Sequence, residues 1–545
     1  MNCAGMCKGR TMHLTRVKVK NHSRLQDLEL EVRRHMVLIG PNDVGKSSLL
    51  RCLNLLLGAS TAQLYNQITQ DDLQDPDLPL SIEADLCEFS DDEQALFADE
   101  VTVDPTGEDE PTLTVRLEAT IDENETLSIN RTVPNKNIGR QISREQLRAI
   151  GWTLLNANDR ARTLDDDRRT LLDDVLAGVE LGDERDTFDN LLGAIGEQLQ
   201  NSNVLSDLRG QMSSQLSTAL PEQIDRDDLT FIPGAIANDD VLNGVRLQVH
   251  GKSIGEQSDG KRALYAIALY DLVSNGANIV AIDEPEIHLH PSSQRSLARL
   301  LKDGENQKII ATHSPDIVSA FDPELIVSVR NGGIVVQPTS RLLDDDQRQV
   351  IQWWVRNKLE PLTARHVVAV EGISDRIILE RVAELTGRDL DRLGVSVIET
   401  EGAGNMGVIW KLFGAEGFNV KLSLLIDRDA VEKTSRSIGV KECDFNEHSI
   451  WVSEGDLEEE YSKAFDAECL WDAMQHSGTF SKNELSNVKR TGANASPTGA
   501  DIADFLRSKS KYKTQGAIMV ASVLDRTVAS RITSIMNLLN DIEGA

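Results

Sequence analysis

A glycine-rich run near the start of the chain has the residue types needed to bind phosphate groups. Residues 40–47 read Gly-Pro-Asn-Asp-Val-Gly-Lys-Ser and match the pattern G-x-x-x-x-G-K-[ST]. An apolar strand precedes the run and an apolar helix follows it, so backbone N–H groups and the helix N-terminus can hold phosphates. We expect Lys46 to reach the β- and γ-phosphates of ATP and Ser47 to bind Mg²⁺. Further nucleotide contacts are assigned to Gly40, Asn42, Gly45 and Ser48.

Acidic residues that could support hydrolysis follow a second apolar strand. Asp283 and Glu284 come directly after the run Asn-Ile-Val-Ala-Ile. We expect Asp283 to hold Mg²⁺, directly or through water, and Glu284 to polarise the attacking water. A third apolar strand leads to His313, which we expect to face the γ-phosphate. Together with the glycine-rich run, these residues predict hydrolysis of ATP.

The segment before the acidic strand adds a further indication. Ser258 and Gly260 lie at a predicted helix N-terminus, in a segment that resembles the signature of ABC ATPases. In ABC and SMC proteins, to which this part of the chain is similar, that segment binds the ATP of a second subunit. The resemblance implies a homodimer or a homotetramer. The residue that makes the Gln-loop contact is left open among Gln67, Gln70 and Asp72.

A separate set of carboxylates lies in the C-terminal part of the chain. Glu371 follows one apolar strand, and Asp427 and Asp429 follow another. The carboxyl ends of neighbouring parallel strands meet at one edge of a sheet, so these side chains should converge. Crowded carboxylates repel one another unless a cation lies between them, and oxygen ligands suit Mg²⁺ or Mn²⁺. Asp375 is a further candidate ligand, although a helix cap would explain it as well.

The Glu371-Gly372 pair and the Asp427-Arg428-Asp429 triplet resemble the Toprim domain of topoisomerases, primases and certain nucleases. With an ABC-type ATPase before it, the chain resembles the OLD (overcoming lysogenization defect) family, which includes the nuclease subunit of the Gabija anti-phage system. The resemblance implies two-metal cleavage of DNA, controlled by nucleotide, and a role in antiviral defence. For Gabija-like enzymes it also implies a helicase-like partner protein.

The same resemblance assigns the remaining residues of the second site. An acidic segment after a further strand would supply another metal ligand, either Asp456 or Glu458. The late lysine of the family, which stabilises the charged phosphate, would be Lys513. Its alternatives are Lys511 and Lys509.

The elements that must position these residues indicate an α/β fold. With the resemblances, their order predicts an ABC/SMC-type P-loop ATPase domain with a helical insertion, followed by a Toprim domain with a Rossmann-like parallel sheet. We expect the insertion to make the dimer contact. The predicted parts are a first ATPase part, the insertion, a second ATPase part, a linker and the Toprim domain, at 12–139, 140–235, 236–340, 341–364 and 365–545.

Composition limits the classes of function. The 545 residues carry a formal net charge of −31, which argues against a surface covered in nucleic acid. The basic run 507–513 would offset the acidic surroundings where DNA must enter. No apolar run approaches the roughly 18 residues that a membrane helix needs, and the start of the chain lacks a secretory signal pattern. The six scattered cysteines form no zinc pattern and fit a reducing cytoplasm.

Two other interpretations compete with a nuclease. An SMC-like DNA-binding ATPase clamp in repair could carry a Toprim domain that does not cut, but it would not need both Asp427 and Asp429. A primase or a topoisomerase would need a zinc module or a tyrosine that attacks the DNA strand, and the five tyrosines lie in no such domain. We therefore favour an ATP-hydrolysing DNA endonuclease or nickase.

Overall fold

The computed structural model describes most of the chain in two compact units. One unit lies within Met1–Val335 and Ile351–Asn357, and the other within Val336–Val350 and Lys358–Ala545. The described residues are 12–102, 110–121, 126–134, 140–156, 197–219, 223–233, 245–253, 258, 260–261, 264–265, 278–287, 289–344, 346–347, 359–400, 402–489 and 496–544.

The first unit contains both antiparallel and parallel strands. Its strands are β1 His13–Lys20, β2 Leu28–Glu31, β3 Met36–Ile39, β4 Leu80–Cys87, β5 Leu113–Ile121, β6 Leu127–Val133, β7 Arg140–Gln141, β8 Trp152–Asn156, β9 Leu229–Pro233, β10 Val245–Val249, β11 Lys252–Ser253, β12 Ile279–Asp283, β13 Gln307–Ala311, β14 Ile326–Arg330 and β15 Ile334–Val336. Its helices are α1 Lys46–Leu57, α2 Thr61–Gln67, α3 Asp91–Leu96, α4 Arg144–Ile150, α5 Asn203–Ala219, α6 Pro291–Asp303 and α7 Pro315–Val318.

An antiparallel sheet covers one side of the core of this unit, with the strand order β2-β1-β4-β5-β6-β7. Alternate residues of its central strands are buried, which is the pattern of a sheet with one face on a core. Its other face is polar. There the Arg16 guanidinium donates to the carboxylates of Glu83 and Asp85, at 2.6 Å and 2.5 Å.

A second sheet positions the phosphate-binding loop, with the order β15-β14-β3-β13-β12-β8. Strand β3 pairs in parallel with β13, β13 with β12, and β12 with β8. Strands β3 and β12 are almost wholly apolar, and every residue of β3 and β13 is buried, as expected for a parallel sheet covered on both faces. Parallel pairing brings the ends of β3, β12 and β13 to one edge of the sheet, where Gly40, Glu284 and Thr312 begin the loops that follow.

The helix α1 that follows the glycine-rich run packs its leucines into the core. Leu49, Leu53 and Leu56 are fully buried. The last carbonyls of a helix have no partner within it. Here the Arg131 guanidinium of β6 donates to two of them, the carbonyls of Leu55 and Leu56 at 3.3 and 3.4 Å, and to the carbonyl of Ala59 just beyond the helix at 2.6 Å. The antiparallel sheet is thereby joined to the C-terminal end of α1.

The structure corrects the predicted start of the helical insertion. Residues 140–235 were predicted to be helical, but β8 lies in this range and pairs in parallel with β12, the strand that ends at Asp283. The run Trp-Thr-Leu-Leu is apolar enough to be a strand, and pairing with a buried strand stabilises it there. Strand β9 also falls in this range and pairs with β10. Helices α4 and α5 agree with the prediction, and residues 157–196 lie outside the described part of the chain.

The second unit has a sheet of four strands in the order β17-β16-β18-β19, and all its pairings are parallel. The strands are β16 His366–Val370, β17 Val395–Glu399, β18 Lys421–Ile426 and β19 Ile450–Val452. The helices are α8 Ile373–Leu385, α9 Leu390–Leu393, α10 Met406–Phe413, α11 Val431–Ile438, α12 Leu457–Ala464, α13 Ala467–His476, α14 Lys482–Leu485, α15 Gly499–Arg507, α16 Ser510–Val523, α17 Arg526–Ala529 and α18 Thr533–Gly544.

This topology confirms the predicted Rossmann-like parallel sheet. The apolar faces of α8, α12, α15, α16 and α18 form one core with strands β16 and β17. None of the helices in the described residues is long and apolar enough to cross a membrane.

Candidate functional sites

The phosphate-binding loop has a backbone that only glycine adopts readily. Gly40 has φ +156° and Gly45 has φ +115°, both in the region that side chains disfavour. A Cβ atom at Gly40 would lie 2.1 Å from the carbonyl oxygen of Val329, so no larger residue fits. Helix α1 begins at Lys46, directly after Gly45. Its free N–H groups therefore face the loop, as a phosphate site requires.

Lys46 is held inside this loop. Its side chain is buried, and its ammonium group donates to the carbonyls of Gly40 and Pro41 at 2.9 Å and 2.7 Å. It also contacts His313 Nε2 at 2.8 Å, so this ring nitrogen accepts the hydrogen bond. Burial lowers the pKa of Lys46, while the nearby charge of Glu284 raises it. Burial also lowers the pKa of His313, and Lys46 adds to that effect.

The two predicted hydrolytic acids lie beside this pair. Asp283 is the last residue of β12, and Glu284 follows it with φ +48°, which is rare for a residue other than glycine. The N–H group of Glu284 donates to the carbonyl of Ala311 at 2.8 Å, which ties this backbone to β13. Its carboxylate lies 3.7 Å from His313 Nε2. The structure thus brings Lys46, Glu284 and His313 together, as the sequence analysis expects.

A further acid, Glu286, belongs to this site and was missed by the sequence analysis. Its carboxylate accepts hydrogen bonds from the hydroxyl of Thr312 at 2.7 Å and from the N–H of His313 at 2.5 Å. Burial raises the pKa of Glu286, and the charge of Glu284 adds to this. The spacing Asp283-Glu284-x-Glu286 could have drawn attention to it.

The other predicted nucleotide contacts are less defined. Asn42 and Ser47 are exposed and Ser48 is partly buried, all in or next to the first turn of α1. Ser258 and Gly260 are described, whereas Ile254–Gln257 and Asp259 of the signature-like segment lie outside the described residues. Their approach to a second subunit therefore stays a prediction.

Of the three candidates for the Gln-loop contact, Asp72 is already engaged. Its carboxylate binds the Arg51 guanidinium and accepts the N–H of Thr69 at 2.9 Å. Gln67 and Gln70 are exposed. The choice of the Gln-loop residue stays open between these two.

In the second unit, Glu371 and Asp427 follow adjacent parallel strands, β16 and β18. The N–H of Asp427 donates to the Glu371 carboxylate at 3.1 Å, and the Asp427 carboxylate accepts the N–H of Leu457 at 3.2 Å. Leu457 opens α12 after β19, so three successive strand ends of the sheet meet here. This is the edge that the sequence analysis predicts.

Burial and neighbouring carboxylates raise the pKa values of these carboxyl groups. Burial, with the charges of Asp375 and Glu371, raises the pKa of Asp427 to about 8. Burial raises the pKa of Asp375 to about 7, although the N–H of Gly372 donates to it at 2.8 Å. Asp375 therefore caps the start of α8, as the alternative explanation predicts, and it also belongs to the acidic group. Burial and the charge of Asp429 raise the pKa of Glu371.

The structure distinguishes between the candidate lysines. Lys513 Nζ lies 3.1 Å from the carboxylate of Glu458, which is almost wholly buried in the first turn of α12. The positive charge of Lys513 also opposes the rise in the pKa of Asp427. Lys511 instead lies 3.7 Å from Glu484, and Lys509 lies over the ring of Tyr512. Lys513 is therefore the lysine that faces the acids.

Asp429 and Asp456 occupy the rim of this group. Asp429 is exposed in the turn after β18. Asp456 is the N-cap of α12, and its carboxylate accepts the N–H of Glu459 at 2.8 Å. Arg507 Nη1 lies 3.3 Å from the Asp456 carboxylate, a contact that the sequence analysis did not foresee. A basic residue thus comes close to the acidic edge, as the run 507–513 suggests.

These residues suit a divalent cation by their chemistry. Carboxylate oxygens are the ligands that Mg²⁺ and Mn²⁺ prefer. Burial raises the pKa values of Asp427 and Asp375, and the nearby carboxylates add to this, so a cation between them would favour their charged forms. Among the described residues, no three His, Cys, Asp or Glu side chains are already gathered closely enough to hold a metal ion. The side chains would therefore have to adjust around a cation.

Two family models match this chain. One, described as "Overcoming lysogenization defect protein-like, TOPRIM domain", matches residues 362–429. The other is an "AAA domain" model, whose description also names the AbiEii toxin and type IV TA systems, and it matches residues 36–319. The matches cover both the phosphate-binding loop and the acidic strand ends.

Known proteins are similar to the chain at low identity. The OLD nuclease of Thermus scotoductus is 25% identical over 445 residues, which are 73% of this chain and 78% of that protein. Endonuclease GajA of Bacillus cereus is 21% identical over 223 residues, 39% of this chain and 38% of that protein. A crystal structure of an Smc head bound to the C-winged helix domain of ScpA is 18% identical, with a TM-score of 0.39, and covers 60% of this chain and 98% of that chain.

The phosphate-binding loop with its acids, and the acidic edge of the second sheet, define a P-loop ATPase followed by a Toprim nuclease domain. The predicted fold class and enzyme class are confirmed. The chain belongs to the AAA-domain family, whose model matches more than half of it. The OLD-like Toprim match and the similarity to the OLD nuclease support an OLD-type ATPase–Toprim nuclease.

Proposed function

We propose that this ATPase and nuclease is a divalent-metal-dependent DNA endonuclease or nickase whose cutting is controlled by nucleotide. The observation that carries the proposal is the group of coupled carboxyl groups at the edge of the Toprim sheet, with Lys513 facing it. Carboxyl groups with pKa values this far above normal are typical of functional sites. A role in antiviral defence is part of the proposal and rests on the OLD family alone.

The residues of the chain would divide the work of cleavage. Glu371, Asp427 and Asp429 would hold a cation, with Asp375 and Glu458 or Asp456 completing the set. A bound Mg²⁺ or Mn²⁺ would activate water and stabilise the leaving 3′ oxygen. Lys513 would place its positive charge against the scissile phosphate once Glu458 turns to the cation.

In the ATPase unit, Lys46 and the N–H groups of α1 would bind the phosphates of ATP. Ser47 and Asp283 would hold Mg²⁺, and Glu284 would orient the attacking water. His313 would meet the γ-phosphate. Lys46 would exchange its contacts with Gly40, Pro41 and His313 for contacts with phosphate oxygens.

Cleavage of supercoiled plasmid tests the proposal. We expect nicked or linear product with Mg²⁺ or Mn²⁺, no product with EDTA, and a rate that changes when ATP is added. Equal cutting in EDTA would refute the metal requirement, and an unchanged rate with ATP would refute nucleotide control. Binding of DNA without any cutting would favour the SMC-like clamp in repair instead.

We further propose that the protein acts as a homodimer or homotetramer, and that a helicase-like protein is its partner. The signature-like Ser258 and Gly260 support the oligomer, because such a segment acts on the ATP of a second subunit. Light scattering with the Glu284→Gln variant and ATP should give at least a dimer. A monomer at every protein concentration, with and without ATP, would contradict this.

A further inference from the structure

The loop that carries His313 is held by a carboxylate that has no assigned role. After β13 the chain turns through Thr312, His313 and Ser314. Glu286 binds the first two of these residues, one oxygen to the Thr312 hydroxyl at 2.7 Å and the other to the His313 N–H at 2.5 Å. Both oxygens of one side chain therefore fix consecutive residues of the loop.

Ser314, the next residue of the loop, is also held by hydrogen bonds. The N–H of Ser314 donates to the Thr312 hydroxyl at 3.0 Å, and the Ser314 hydroxyl donates to Gln294 of α6 at 2.6 Å. The hydroxyl of Ser314 also caps α7 by accepting the N–H of Ile317. The imidazole of His313 is thereby left directed at Lys46, with Nε2 at 2.8 Å from its ammonium group.

We infer that Glu286 is a positioning residue for ATP hydrolysis, because it fixes the backbone that presents His313 to the γ-phosphate. It lies two residues after Glu284, so one short loop supplies both the acid that orients water and the carboxylate that orients the histidine. Glu286 makes no hydrogen bond to Lys46 among those described, although its charge raises the pKa of Lys46. Its described hydrogen bonds instead go to Thr312 and to the backbone of His313, which is the contact the inference uses. The inference rests on the proposed role of His313.

The chemistry of the loop explains why the residue is a glutamate. A carboxylate accepts at both oxygens, and here two donors face it. Glutamine would still accept from the His313 N–H, which can only donate. Its amide nitrogen would then face the Thr312 hydroxyl, which already accepts from Ser314. The hydroxyl would have to turn, so glutamine should hold the loop less well than glutamate but better than alanine.

A double-mutant cycle on ATP hydrolysis tests the inference. We expect His313→Ala and Glu286→Ala each to lower kcat on the order of a hundredfold, the usual effect of losing a group that stabilises charge in the transition state. Since both changes remove the same contact, the double variant should be no slower than His313→Ala alone. The affinity for a fluorescent ATP analogue should change by less than about threefold, and Glu286→Gln should keep more activity than Glu286→Ala.

The control is Glu305→Ala, which removes an exposed glutamate of the same unit and should hydrolyse ATP at the wild-type rate. If Glu286→Ala melts below the assay temperature, the same cycle is run with Glu286→Gln, whose shape is nearly that of glutamate. The inference is wrong if the losses of kcat in the two single variants multiply in the double variant. It is also wrong if Glu286→Ala is fully active while His313→Ala is slow. Full activity of His313→Ala would instead refute the proposed role of the histidine.

Discussion

Asp427→Ala should abolish the cutting of plasmid DNA in the presence of Mg²⁺ or Mn²⁺. Asp427 follows strand β18 of the Toprim sheet. Its N–H donates to the carboxylate of Glu371, which follows β16, and its own carboxylate accepts the N–H of Leu457, which opens α12 after β19. Asp427 would help to hold the catalytic cation, and losing such a residue should cost several kcal/mol of transition-state stabilisation, which is roughly a thousandfold in rate. The rate is measured on gels from the loss of supercoiled plasmid.

The same variant should hydrolyse ATP normally, since the ATPase residues belong to the other compact unit. Asp472→Ala is the matched control, because Asp472 is exposed on α13 of the Toprim unit. Removing it should leave both activities unchanged. If Asp427→Ala cuts as fast as the wild type, in protein free of contaminating nuclease, the acidic edge is not the nuclease site.

Glu284→Gln should stop ATP turnover while ATP stays bound. Glutamine has nearly the shape of glutamate, so the contact of the backbone N–H with Ala311 should survive. It is no longer a base, however, and general-base catalysis usually contributes about a hundredfold to ten-thousandfold. Steady-state release of phosphate gives the rate, and filtration with labelled ATP gives the amount bound.

Lys46→Ala is the comparison for this variant, because it should lose the binding of ATP as well as its hydrolysis. Glu305→Gln, an exposed change in the same unit, should behave as wild type. Turnover by Glu284→Gln at the wild-type rate would show that another group orients the attacking water. Loss of binding in Glu284→Gln would show that the carboxylate holds the site together before any chemistry.

Much of both sites could be predicted because short apolar strands are followed directly by a glycine-rich loop or by acidic residues. Strands β3, β12, β16 and β18 are nearly all apolar, and parallel strands place whatever follows them at a common edge. The position of Glu371 beside Asp427 follows from this rule without knowledge of any side-chain contact. The order of the strands did not have to be known, only that they are parallel.

Glu286 and strand β8 were missed, and the choice of Lys513 over its alternatives was left open, because each depends on contacts between segments distant in sequence. Glu286 is assigned by its hydrogen bonds to Thr312 and His313, and no local pattern encodes them. Lys513 and Lys511 lie on different faces of α16. Only the position of Glu458, which pairs with Lys513, shows which face is directed at the acidic group. Strand β8 was not predicted because the sequence around it is charged and has a helical pattern. Its strand conformation depends on its pairing with β12.

The hydrogen bonds from Arg131 to the end of α1 couple the movement of this helix to that of strand β6. The C-terminal end of the helix is anchored to strand β6 through the carbonyls of Leu55 and Leu56, and the phosphate-binding loop lies at its N-terminal end. A helix is stiff along its axis, so it cannot tilt at the loop without also pulling the carbonyls that Arg131 holds. Any shift of α1 on nucleotide binding would therefore also move strand β6 and the antiparallel sheet to which it belongs.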